Sequence, residues 1–234
     1  MSLRNMENLR PNDQRARNAI NLIWIVLALE VMSLLSGYMQ YDLLQKVADG
    51  YDISDEDANA NDIREQVIAI LYLIAYITSI VTFIKWFRRA YYNLHLKISY
   101  LSHREDWAVG SWFVPIVNLY RPYQIMKEIY QETRELLLKN GISLNQNLSN
   151  ANLIFWWALW LLNNFVGQFV FRLGMKAESL DEMITSTLAY MIANIIGIPL
   201  ALITIKVIKD YATNEPLLYK IVKDDDITPT EINS

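Results

Sequence analysis

One acidic residue, Glu30, interrupts an apolar run at 19–38. A carboxyl group in such a run is costly, and it characteristically faces a helix-bundle interior, a proton path or an ion site. Asn163 and Asn164 fall at a similar depth in a later apolar run, while Thr78, Ser79 and Asn194 fall near the middle of two others. Together these residues could form a polar layer serving a small transporter or channel. The structural alternative is a Glu30 that is protonated, or paired with an asparagine, and merely helps helices associate. Interhelical hydrogen bonds of that kind contribute roughly 0.6–2 kcal/mol. No second acid, histidine or lysine shares the depth, which favours the structural alternative.

The remaining reactive side chains form no recognisable chemistry. His95 and His103 stand eight residues apart without the ligand spacing of a metal site. The stretch Asp55-x-Asp57-x-Asn59-x-Asn61 begins like a calcium loop. It then places Ala60 where the sharp turn needs glycine, and Gln66 where a bidentate glutamate is needed. Ser54 and Asp57 read better as a helix-capping pair. The chain has no cysteine, which excludes disulfides, thiolate metal sites and cysteine nucleophiles. It also lacks a P-loop, a G-x-S-x-G elbow, an H-E-x-x-H pair and a dinucleotide fingerprint. The expectation is a protein that is not an enzyme, with no catalytic residue, no metal and no cofactor.

The elements that would position these residues are membrane spans. Of 234 residues, 53% are hydrophobic, and they cluster in blocks. About 20 residues at ~1.5 Å each cross a ~30 Å hydrocarbon core. Four blocks qualify, at about 19–38, 67–87, 152–171 and 184–207. The first reads as an uncleaved span, since no small-residue cleavage site follows it. Gly197 and Pro199 should bend the fourth. Thr187, Asn194, Gly197 and Ala201, with Ser33 and Gly37, form small-residue stripes that mark close helix packing. The predicted organisation is an amino-terminal segment at 1–18, a four-span membrane domain at 19–209, and a polar tail at 210–234 whose end is disordered.

Charge sets the expected orientation. The amino-terminal segment, the middle connector counted from Lys85 to Lys139, and the carboxy-terminal stretch from Lys206 hold four, nine and four lysines and arginines, against four in the other two connectors. Short loops rich in these residues stay cytoplasmic. Both termini and the middle connector are therefore expected inside. The connector at 39–65, which carries eight acids, and the one around Glu178, Asp181 and Glu182 are expected outside. The cluster Lys85, Arg88 and Arg89 is explained by that topology, as an interfacial anchor or an anionic-lipid contact. Nucleic-acid binding has no further support.

The middle connector contains an unusual stretch at 107–130, WAVGSWFVPIVNLYRPYQIMKEIY. It is too apolar for a solvent loop and too short to span, a length that suits a re-entrant or interfacial segment. Pro115 and Pro122 break its helix, and Asn118 and Arg121 can satisfy freed carbonyls. Arg121 is expected to pair with Glu128 or with lipid phosphate. An amphipathic helix follows over 124–138, stopped by Asn140-Gly141.

Two blocks here, WFRRAYYNL at 86–94 and the stretch just quoted, resemble the signature of the domain-of-unknown-function 4328 family of bacterial membrane proteins. The resemblance covers roughly 20–210. It is carried by Trp86, Arg88, Asn93, Trp107, Gly110, Trp112, Phe113, Pro115, Asn118, Leu119, Arg121, Pro122 and Glu128. Tyr130 stands where many relatives have tryptophan, and the long acidic first connector is not part of the signature. The resemblance implies four spans in the bacterial inner membrane and supplies no activity. The combined expectation is an all-α, four-span membrane protein acting as a lipid- or partner-interacting scaffold or regulatory module. Its candidate contact residues are Arg88, Arg89, Asn93, Trp112, Pro115, Asn118, Arg121, Pro122 and Glu128. Membrane lipids, and either a second copy or another protein, are the expected partners.

Overall fold

A computed structural model describes residues 9–221, and every regular element among them is helical. We label the helices α1 (Asp13–Ala48), α2 (Asp55–Lys97), α3 (Trp107–Gly110), α4 (Arg121–Lys139), α5 (Asn150–Gly174) and α6 (Leu180–Asn214). Two 3-10 helices, Val117–Leu119 and Glu215–Lys220, precede α4 and follow α6. Four helices among the described residues, α1, α2, α5 and α6, are long and apolar enough to cross a membrane. The chain is an all-α, multi-pass membrane protein.

The four expected spans lie inside these helices, but the helices outrun three of them. At ~1.5 Å per residue, the 43 residues of α2 extend about twice the hydrocarbon thickness. Hydropathy sees only the middle of such a helix, because its ends carry charge without losing helical geometry. Thus α1 continues to Ala48, with an Asp42–Lys46 pair at 2.7 Å on its last turns. The acidic connector at 39–65 contracts to a turn around 49–54, with Gly50 at φ 84°. Ser54 caps α2 as its spacing suggested. The Asp57 amide donates to Ser54 Oγ at 3.1 Å, and Asp55, Glu56 and Asp57 occupy the positive end of the helix.

The expected start of the polar tail at 210 is corrected. Helix α6 runs through Pro199 to Asn214, and the following 3-10 helix buries Glu215, Leu217 and Leu218. Apolar residues spaced among charged ones there form one face of a packed segment. The Asp224–Asp226 run, Thr228-Pro229-Thr230, the disorder expected of them, and Arg4 lie outside the described residues.

The chain divides into two compact units, and each long helix contributes residues to both. Among the described residues the first unit comprises 9–19, Thr82–Leu153 and 207–221. Its core is a closed cluster of aromatic and aliphatic side chains. Trp86, Tyr91 and Leu94 of α2, Ile125, Ile129 and Tyr130 of α4, and Tyr211 of α6 are fully buried. The Tyr130 and Tyr211 rings stack at 6.4 Å, and Trp86 meets Tyr211 edge-on at 6.2 Å. The Tyr130 hydroxyl donates to the Val207 carbonyl at 2.7 Å. Burial, and then the nearby Asp210 carboxylate, push this phenol well above its ordinary range, so it persists as a donor. Helix α4 ends where expected: Gly141 takes φ 68°, and the Ile142 amide reaches back to the Leu137 carbonyl at 2.9 Å.

The second unit comprises Ile20–Val81 and Ile154–Lys206. Its surface is inverted relative to a soluble protein: Leu35, Leu73, Ile74, Phe165, Phe169 and Ile195 are each more than half exposed. That is the surface a lipid solvent selects. Inside it, the small-residue stripes bring α1 and α6 together. A Cβ on Gly37 would sit 3.1 Å from Met191 Cγ. Between α1 and α2, Arg64 donates to Ser36 Oγ (2.8 Å) and to Asn61 Oδ1 (2.5 Å), and Ser36 donates to Glu65.

Candidate functional site

The stretch at 107–130 folds as one helical turn (α3), a loop, and the start of α4. The loop is anchored on its inner side. Ala108 and Ser111 are buried, and the Trp112 ring meets Phe83 and Phe87 edge-on at 5.6 and 5.9 Å. Its outer side is bare: Phe113 is 69% and Ile116 75% exposed, with Val114, Pro115, Leu119 and Tyr120 beside them.

At its tip the backbone makes a γ-turn. Ile116 has φ 68° and ψ −48°, and the Val117 amide donates to the Pro115 carbonyl at 2.8 Å. This positive-φ form is rare and strained, the more so for a β-branched residue. Ile116 sits at this turn with its side chain outward. Pro122 then sits buried in the first turn of α4, where a missing N–H costs nothing.

Arg121 opens α4 at the base of this loop. Its guanidinium lies over the Trp107 ring at 4.4 Å and near Tyr120 at 5.9 Å. The expected pairing with Glu128 is corrected, because that carboxylate is already engaged. Glu128 accepts from the Tyr91 hydroxyl and from the Ser102 amide, both at 2.6 Å. Arg121 makes no hydrogen bond and no ion pair among the described residues, and its Nε is buried without an acceptor. Asn118, partly buried, likewise makes no side-chain hydrogen bond there. The other cations are placed differently. Arg88 pairs with Glu105 at 3.1 Å, and Arg89 lies 5.9 Å from the Tyr92 ring centre, a ring that Arg10 covers at 4.7 Å. His95 packs edge-on against Tyr91 at 4.6 Å, and His103 offers its carbonyl to the Tyr91 hydroxyl.

Asn93 belongs to a buried polar knot. Its Oδ1 accepts from the Arg10 amide at 3.0 Å, and its Nδ2 donates to the Arg10 carbonyl (2.9 Å) and to Glu215 Oε1 (2.8 Å). Asn12 donates to Glu215 Oε2 at 2.9 Å and to the Trp86 carbonyl at 3.3 Å. A half-open cleft of about 240 Å³ borders this knot, lined by Arg10, Pro11, Pro216 and Tyr219 among others. These bonds tie the start of the described chain and its end to the last turns of α2.

In the second unit Glu30 is buried, at 5% exposure. Its partner is Tyr72, whose hydroxyl donates to Oε1 at 2.7 Å, not an asparagine. Asn164 donates to the Trp160 carbonyl one turn back in its own helix, at 2.8 Å. Asn163 and Asn194 make no side-chain hydrogen bond among the described residues. The polar residues expected at mid-depth are therefore not joined into one network.

Sequence reasoning passed over Tyr72, Glu215 and Asn12. Tyr72 was within reach: counted from the end the first two spans share, it lies five residues in from Val67, and Glu30 eight in from Tyr38. Glu215 carried a weaker signal, a lone acid just ahead of Pro216-Leu217-Leu218, which an unpacked tail has no reason to contain.

The family model described as "Domain of unknown function (DUF4328)" matches residues 49–213. No curated protein and no solved structure matches the chain. With well over half its length matched, the chain belongs to the DUF4328 family.

Proposed function

We propose that this member of the DUF4328 family is a non-enzymatic inner-membrane protein that binds anionic lipid headgroups. The loop at 113–120 seats in the membrane interface, and Arg121 takes the phosphate. The observation that carries this reading is Arg121 itself. Its guanidinium is oriented by stacking on Trp107, yet it has no acceptor among the described residues. A planar, always-charged fork held in that way is suited to bidentate phosphate contact. The bare apolar tip around Phe113 and Ile116 supplies the second signal, since an exposed patch of this kind marks a membrane or protein contact. Aromatic residues beside it, Tyr120 and Trp107, suit the headgroup level. The lysine and arginine bias favours a cytoplasmic position for this element, the face where anionic lipid is enriched. In this role the protein is a scaffold or regulatory module responding to lipid.

The test is native mass spectrometry of the detergent-purified protein titrated with phosphatidylglycerol and, separately, phosphatidylcholine. Arg121→Ala should weaken phosphatidylglycerol binding by about tenfold, the equivalent of one charge-assisted contact. Phosphatidylcholine binding should change little. Arg88→Ala, which removes a cation already paired with Glu105, serves as the control. Equal phosphatidylglycerol affinity in wild type and Arg121→Ala ends this reading.

A further inference from the structure

Glu30 has a feature that helix packing does not require. Its Oε1 accepts from the Tyr72 hydroxyl, while its Oε2 is buried with no hydrogen-bond partner among the described residues. The carboxyl group lies flush against α6. A Cβ added at Gly197 would come within 2.5 Å of Oε1, 2.7 Å of Cδ and 2.9 Å of Oε2. Gly197 is thus the notch that admits the carboxyl group, filling the space a side chain would occupy. The ionisable groups facing Glu30 are both on α2, Tyr72 and Tyr76, whose rings stack at 5.8 Å. Helix α6 presents Gly197, and no lysine, arginine or histidine pairs with Glu30 among the described residues.

We propose that Glu30, Tyr72 and Gly197 form a proton-binding site within the membrane-spanning unit, the proton residing on Glu30 Oε2. An ionised carboxylate withdrawn from water needs a partner for every lone pair, or a bound cation. A metal cation would call for about six oxygen ligands, and here one carboxyl and one neighbouring hydroxyl come together. A proton needs a single oxygen, and Oε2 is that oxygen. The Tyr72 donor on Oε1 then fixes which oxygen is the acid. The site stands independently of headgroup binding at Arg121 and does not require the protein to carry a current.

Labelling with dicyclohexylcarbodiimide tests it, using the full-length protein in membranes and mapping by peptide mass. Only a carboxylic acid in its protonated form adds across the reagent's N=C bond. The carboxyl oxygen bonds to carbon, the acid proton moves to nitrogen, and an acyl shift gives a stable N-acylurea with no atom lost. The expected result is an adduct on Glu30 whose formation falls as pH is raised, together with a free-acid carbonyl stretch in the infrared that Glu30→Gln removes. Tyr72→Phe should be labelled faster at the same pH, by up to about tenfold, because it deletes the donor that favours the ionised form. Gel filtration of both variants confirms that they remain folded. No Glu30 adduct at any pH, with no infrared band lost in Glu30→Gln, overturns the proposal. So does labelling that a water-soluble carbodiimide reproduces equally, since that places Glu30 in bulk water.

Discussion

Glu215 shows how one carboxylate can hold distant parts of a chain. Its two oxygens accept from Asn12 and Asn93, residues 203 and 122 positions away, and it is only 5% exposed. Removing an acceptor from two buried amide donors costs more than the bonds themselves contributed, because both amides are left desolvated. Glu215→Ala should therefore destabilise by about 2 kcal/mol or more, lowering the unfolding midpoint by about 4–8 °C for a chain of this size. Glu215→Gln, which keeps one acceptor oxygen, should lose less. Thermal unfolding in detergent measures both, and an unchanged midpoint in Glu215→Ala would remove the knot's structural role. Asn93 was legible in advance only as a position matching the family signature. That it serves as a tether rather than a lipid contact depends on Glu215 lying more than a hundred residues away, and no local pattern encodes that proximity.

At the scale of elements, the loop at 113–120 is apolar in sequence and exposed in the structure, and its backbone path is what the sequence does not announce. Its apolarity and Pro115, with Pro122 just beyond it, mark it as neither span nor solvent loop. The γ-turn at Ile116 was not legible, because nothing in Pro-Ile-Val announces a positive φ. The helix ends were mis-set for a related reason. Capping and charge continue a helix past the point where hydropathy stops, as Ser54 and Asp42–Lys46 do here. The cap itself was readable from spacing. The turn yields its own prediction. Ile116→Gly relieves a conformation that costs an L-residue of order 1–3 kcal/mol, so it should raise the unfolding midpoint while weakening lipid association, since the exposed side chain is lost. Unfolding and lipid titration measured on one preparation check this pair of opposed effects. A lowered midpoint would mean that the isoleucine side chain, and not the lipid, had selected the turn.

For the whole molecule, four spans were legible because each apolar block is long and nearly charge-free, and that signal needs no tertiary context. The two units were not legible. Residues 82–97 continue α2 without a break, yet Trp86, Phe87, Tyr91 and Leu94 are fully buried, while residues earlier in the same helix, such as Leu73 and Ile74, face outward. Hydrophobicity alone does not separate a side chain bound for protein from one bound for lipid. The lysine and arginine bias gives only an expected orientation, and this can be tested cleanly because the chain has no cysteine of its own. Single cysteines at Asp52, in the α1–α2 turn, and at Ser99, after α2, both replace exposed residues. A membrane-impermeant maleimide applied to intact cells should label Asp52→Cys at once and Ser99→Cys only after permeabilisation. Glu178→Cys, between α5 and α6, should follow Asp52→Cys. The reverse pattern would turn the chain over, placing Arg121 and its apolar loop on the leaflet poorer in anionic lipid. Headgroup binding at that site would then lose its rationale even if the arginine were free to accept a phosphate.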